Sequence, residues 1–134
     1  MPPRRFESRP IRSESDVVAV RQAVRSWAVE MGFSLIDQTK LVTAASELAR
    51  NTLIHGGGGT ARLEAVEDGA RQGIRLVFED QGPGIPDVKL ALTDGYSTGQ
   101  GLGLGLSGSR RLVNEFDITT TAGEGTRVVV TKWK

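Results

Sequence analysis

The chain has 134 residues, 38% of them apolar, with seventeen Lys and Arg against sixteen Asp and Glu. That is enough for one folded domain, 1–134, with a hydrophobic core, and a formal net charge of +1 gives no electrostatic reason to expect nucleic acid or an anionic membrane as partner. The absence of cysteine excludes a disulfide framework, a thiolate nucleophile and cysteine-ligated zinc; the single histidine, His55, cannot hold a metal alone; and no apolar run approaches the ~18 residues of a membrane span, so a cytoplasmic domain is expected.

Phe6 to Ile11 predicts a short edge strand, weakened by Pro10. The basic residues around it (Arg4, Arg5, Arg9, Arg12) are interleaved with Glu7, Glu14 and Asp16, which fits a solvated edge better than a nucleic-acid arm. Ser13 with Asp16 resembles a capping box, Asp standing in for the usual Glu or Gln. Behind it Val17, Val20, Val24, Trp27, Ala28 and Met31 recur at helical spacing as far as Gly32. A second helix is predicted from Leu35 to His55, with Leu41, Ala45, Leu48, Ala49 and Thr52 as its buried stripe and the glycines 56–59 as its stop.

Two strand patterns follow, 61–67 and 74–79, joined through the turn-prone pairs Asp68-Gly69 and Gln72-Gly73. A long loop runs from Asp80 to about Gly101. A third helix over 104–115 precedes two last strands, 117–121 and 126–133, joined across Gly123-Glu124-Gly125. Strands this close in sequence favour antiparallel hairpins. The expected fold is therefore α+β, a two-layer α/β sandwich with a mixed, mainly antiparallel sheet and helices on one face.

Glycine is the outlier, with seventeen residues, six of them between Gly95 and Gly108. Clustered glycine costs backbone entropy and answers a local need for unusual dihedrals or close approach. Gly99-Gln100-Gly101-Leu102-Gly103-Leu104-Gly105 can present successive N–H groups to phosphate oxygens just before a helix N-terminus, or can be a plain hinge. It is neither a Walker A loop, since no Gly-Lys-Ser/Thr follows, nor a dinucleotide turn, since a loop precedes it.

Glu47 and Asn51 lie four apart on the second helix, about 40° apart around its axis. They flank the apolar stripe, whereas Ser46 and Arg50 fall opposite it. An Asn oxygen suits magnesium, and Glu47 beside it can orient or deprotonate a hydroxyl; an ordinary surface pair is the bland alternative. Asp80-Gln81-Gly82-Pro83-Gly84 closes a strand, where a carboxylate can accept from an amino group such as that of adenine, although Asp-x-Gly-x-Gly is also a common turn.

In this order the three elements resemble the ATPase domain shared by histidine kinases, DNA gyrase B and MutL, whose sandwich is the Bergerat-type ATPase fold. The resemblance implies that Asn51 holds magnesium and Glu47 is the general base. It implies that Asp80, Gly82 and Gly84 hold adenine, with Thr126 in Gly123-Glu124-Gly125-Thr126 supporting that contact. Gly99, Gly101, Gly103 and Gly105, with Leu102 and Leu104 between them and Thr98 just before, would then line the phosphates of ATP.

Glu-Leu-Ala-Arg-Asn at 47–51, His-Gly-Gly-Gly-Gly at 55–59, Asp-Gly-Tyr-Ser-Thr at 94–98 and the terminal Lys-Trp narrow the likeness further. They look like the RsbT-type serine/threonine kinases of bacterial partner-switching cascades. That likeness implies transfer of the ATP γ-phosphate to a STAS-domain antagonist or scaffold. The released kinase would then activate a PP2C-type phosphatase, and a homodimer is allowed. The alternatives are an anti-sigma factor kinase and a nucleotide-gated binding module without phosphotransfer. One departure stands out. Where related kinases are expected to set a lid arginine against the γ-phosphate, the only basic residue between Asp80 and Gly108 is Lys89, with Arg110 just beyond. Tyr96, Ser97 and Thr98 can clasp phosphate through hydroxyls or simply pack the lid.

Overall fold

Two serines set where the long helices begin. Ser13 accepts from Asp16 N at 3.4 Å and Ser34 accepts from Asp37 N at 3.1 Å, each taking up an orphan donor of a first turn. A cap of this kind contributes about 1 kcal/mol. The capping box is lopsided, because the Asp16 carboxylate accepts from Arg12 N at 2.9 Å. The shorter Asp thus ties the residue before the cap, where a Glu would reach back to the cap itself.

The computed structural model describes residues 5–84 and 105–134. Its elements run β1 (Arg5–Ile11), α1 (Glu14–Glu30), α2 (Leu35–Ile54), β2 (Gly59–Asp68), β3 (Arg71–Asp80), α3 (Gly105–Arg111), β4 (Glu115–Thr121) and β5 (Gly125–Trp133). The strands form one sheet in the order β1-β2-β3-β5-β4. All four pairings are antiparallel, so the parallel component of a mixed sheet does not occur among the described residues.

Register explains the core. Ala61, Phe78, Val128 and Ile118 stand opposite one another across four strands, and Leu63, Leu76, Val130 and Phe116 form the next row. Because side chains alternate with a period of two, these rows share one face. Their β2, β3 and β5 members pack with Val20, Val24 and Trp27 of α1 and Leu41, Ala45 and Leu48 of α2 in a single buried cluster, and Phe116 and Ile118 are partly buried against it. The helices therefore cover one face, as the patterns at 17–31 and 41–52 require.

The opposite face carries Arg62 and Arg75, both paired with the Glu64 carboxylate. β1 lies at the sheet edge with Pro10 inside it, and its charges are taken up internally. Arg5 pairs with Glu30 at 2.7 Å and stacks over Trp27, while Glu7 accepts from Arg9 and from Trp27 Nε1.

Two boundaries differ most from expectation. α3 stops at Arg111 instead of continuing to 115. Leu112 N closes a tight turn onto Ser109 O, and Asn114 then joins the sheet, donating to Thr131 O while its side chain accepts from Trp133 N. Pairing with β5 overrides helical continuation. The pair Gln72-Gly73 lies inside β3, because the hairpin closes earlier, at Asp68 opposite Arg71. Among the described residues no helix is long and apolar enough to cross a membrane.

Candidate functional site

Asp80 occupies the row that follows the apolar core. It is two residues beyond Phe78, so it keeps to the helix-covered face, and it stands opposite Thr126 on one side and Gly59 on the other. With no core partner left to meet, a polar side chain there looks toward the end of α2. Asp80 Oδ1 accepts from Gly82 N at 2.9 Å and from Thr126 N at 3.2 Å. Oδ2 has no donor among the described residues.

The surrounding backbone is held in close. Gly125 has φ 123, and a Cβ there would stand 2.1 Å from the Asp80 carbonyl oxygen, so only glycine lets β5 start against the end of β3. Pro83 O accepts from Gly123 N at 2.9 Å, which docks the Gly82 to Gly84 segment on the β4–β5 turn. The Thr126 hydroxyl shares a 3.0 Å hydrogen bond with Thr120, and Thr120 Oγ1 also donates to Gly125 O at 3.2 Å. Thr126 thus acts through its main chain on Asp80 and through its side chain on the turn.

α2 supplies the other wall. Leu48, Ala49 and Thr52 are buried, and the half-buried Glu47 and Asn51 border them. The Asn51 carbonyl accepts from His55 N at 2.9 Å and from Gly56 N at 3.2 Å, closing the helix C-terminus. Among the described residues the Asn51 side-chain amide makes no hydrogen bond, so its oxygen is available to a ligand. Arg50 Nη1 lies 3.9 Å from Glu47 Oε1, one turn away on the same helix.

The structure therefore brings Asp80, Gly82, Gly84 and Thr126 together and ties the Asn51 end of α2 to them through Gly56. Gly105 opens α3, and Arg110 is exposed in the last turn of that helix, the end away from the glycine run. Thr98, Gly99, Gly101, Leu102, Gly103 and Leu104 lie outside the described residues, as do Lys89, Tyr96 and Ser97. Sequence reasoning missed three participants: Arg50 beside Glu47, Thr120 beneath Thr126, and Gly56 against Asp80. Register pairing of Thr120 with Thr126 is the signal that finds the second of them.

The donor set fits a magnesium nucleotide. One carboxylate oxygen is committed to main-chain donors and the other is left to accept from an amino group. Among the described residues no three His, Asp or Glu side chains converge as a metal cage. Magnesium takes oxygen ligands, keeps several waters and binds beside substrate phosphates without an all-protein cage, so a single amide oxygen is compatible with it.

Comparison with known proteins gives the family. A family model described as histidine kinase-, DNA gyrase B- and HSP90-like ATPase matches residues 36–134. The chain is 47% identical over 123 residues to the serine/threonine-protein kinase RsbT of Bacillus subtilis (strain 168), covering 92% of each. It is 29% identical over 119 residues to an anti-sigma F factor of Clostridium novyi (strain NT), covering 84% of this chain and 82% of that one. Among solved structures, the RsbU and RsbW domains of a Mycobacterium tuberculosis protein superpose with a TM-score of 0.68 at 21% identity, over 97% of this chain and 33% of that one. The catalytic domain of histidine kinase ThkA superposes with a TM-score of 0.54 at 16% identity, over 96% and 95%. At these identities the structural likenesses show the fold alone.

Proposed function

The chain belongs to the histidine kinase-, DNA gyrase B- and HSP90-like ATPase family, and within it we propose that residues 1–134 act as one cytoplasmic kinase domain phosphorylating a STAS-domain antagonist or scaffold. It is an ATP-dependent protein serine/threonine kinase of the partner-switching kind. After release from its substrate, the kinase would bind and activate a PP2C-type phosphatase.

The observation that carries the nucleotide half of this reading is Asp80, held by two main-chain donors with one oxygen left over. That oxygen accepts from the adenine amino group, a contact that the acceptor O6 of guanine cannot replace. Asn51 would hold magnesium through its amide oxygen. A magnesium ion held there would supply positive charge against the negative charge that builds on the phosphates during transfer. Glu47, on the same face of α2, accepts the proton of the serine or threonine hydroxyl. The hydroxyl oxygen forms its bond to the γ-phosphorus as the bond from that phosphorus to the β–γ bridging oxygen breaks, leaving ADP. The glycine run 99–105 would line the phosphates.

The test is incubation of the protein with γ-labelled ATP, magnesium and a cognate STAS-domain protein. Label is expected on one serine or threonine of that protein. The anti-sigma F factor relatives keep a second reading in view: tight binding of a sigma factor, with no label on any STAS-domain protein, would favour it. Nucleotide binding with no transfer to any partner would instead mark a nucleotide-gated binder.

A further inference from the structure

We infer that Gly56 is the positioning residue for the Asp80 carboxylate, and that its missing side chain sets the preference of the site for a base bearing an exocyclic amino group. The inference rests on the nucleotide reading of Asp80. A Cβ on residue 56 would lie 2.4 Å from Asp80 Cγ, 2.5 Å from its Cβ and 2.6 Å from Oδ2, closer than non-bonded carbon and oxygen can approach. A Cβ on Gly82 would lie 2.8 Å from Gly56 Cα, so the end of α2 and the turn after β3 meet here with no side chain between them.

The requirement at 56 is for space and not for dihedral freedom, because Gly56 is absent from the positive-φ glycines. Its neighbour Gly57 is the reverse case, with φ 74 and nothing within 4 Å of an added Cβ. Two glycines adjacent in sequence thus answer different needs.

Oδ1 of Asp80 cannot yield to a side chain at 56 without breaking its bonds to Gly82 N and Thr126 N. The atoms nearest the added group are Cγ and Cβ, and because the carboxylate is rigid their shift carries Oδ2, the oxygen left to meet the ligand, with them. Gly56 N also donates to the Asn51 carbonyl at 3.2 Å, so one residue spaces Asn51 from Asp80. A larger residue there displaces the base contact while leaving the hydroxyl and phosphate end of the site in place.

Calorimetric affinities of the full chain for ADP and for the diphosphate of purine riboside, which carries hydrogen in place of the 6-amino group, test this. The wild type is expected to prefer ADP by about tenfold or more, the worth of one hydrogen bond to a charged group. In Gly56→Ala that ratio is expected to fall to near one with purine riboside diphosphate still bound. In Gly57→Ala the ratio is expected to persist despite a lower unfolding temperature. In Asp80→Gly, which removes both the carboxylate and the Cβ facing residue 56, the ratio is expected to be near one, and adding Gly56→Ala is expected to change it no further.

A ratio retained in Gly56→Ala, or an equal loss of both ligands, would overturn the inference. If Gly56→Ala fails to fold, the Gly56→Ala/Asp80→Gly double variant, which removes the Asp80 Cβ together with the carboxylate, must fold; a double variant that also fails overturns it too. A wild type that binds both nucleotides equally, or neither, sinks the reading of Asp80 itself and the inference with it, a result visible before any substitution is made.

Discussion

Replacing Asp80 with Asn is expected to weaken ATP binding by roughly 30-fold or more while leaving the protein folded. In the proposed reading the carboxylate has two separable duties. Oδ1 takes N–H bonds from Gly82 and Thr126, and an amide oxygen placed there keeps both. The other position becomes an NH2 group, a donor facing the donor of adenine. The loss of a charge-assisted bond and the gain of an unpaired donor together cost about 2–5 kcal/mol, and each 1.4 kcal/mol or so is tenfold in affinity. Titration of ATP into Asp80→Asn, with thermal unfolding beside it, separates the two duties. Near-normal affinity would show that the base is held elsewhere.

Glu47→Ala is expected to behave in the opposite way, binding ATP within a few-fold of wild type and losing about 10²- to 10⁴-fold in the rate of transfer to the partner protein. Its side chain is only 15% exposed, and its one close charge among the described residues is Arg50 at 3.9 Å. A pair one turn apart on a helix is worth about 0.2–0.5 kcal/mol, too little for its removal to unfold the chain. Single-turnover transfer from γ-labelled ATP, measured for Glu47→Ala and Glu47→Gln, reads the chemical step directly. Transfer at the wild-type rate by both variants would remove Glu47 as general base. The Arg50 side chain, left without its partner, would also show whether that cation serves the carboxylate or the phosphate.

Much of the fold was legible because period and punctuation agreed. Val17 to Met31 and Leu41 to Thr52 carry helical spacing between serine caps and glycine stops, and the strand patterns recur in the sheet with edges moved by one to three residues. The exception was the end of α3, where nothing in residues 112–115 announces that Asn114 will bond to Thr131 and Trp133. Tertiary pairing decided that boundary, and local sequence carries no record of it.

The candidate site was legible in part. Asp80 and Asn51 could be singled out by residue type and spacing, but what fixes the Asp80 carboxylate is main chain: the N–H groups of Gly82 and Thr126, the latter 46 residues away. A backbone donor has no side-chain signature. The run Gly56 to Gly59 reads in sequence as a helix stop, which it is for Asn51, His55 and Gly56. Only the folded chain shows that the first of these glycines is kept small by a carboxylate from another strand.

The central claim is that Asp80 and Asn51, joined through Gly56, hold magnesium ATP. Calorimetric titration of the wild-type chain with a non-hydrolysable ATP analogue, with and without magnesium, tests it most directly. One site per chain, tightened by magnesium in the wild type but not in Asn51→Ala, is the predicted result. No heat of binding under either condition would contradict the account.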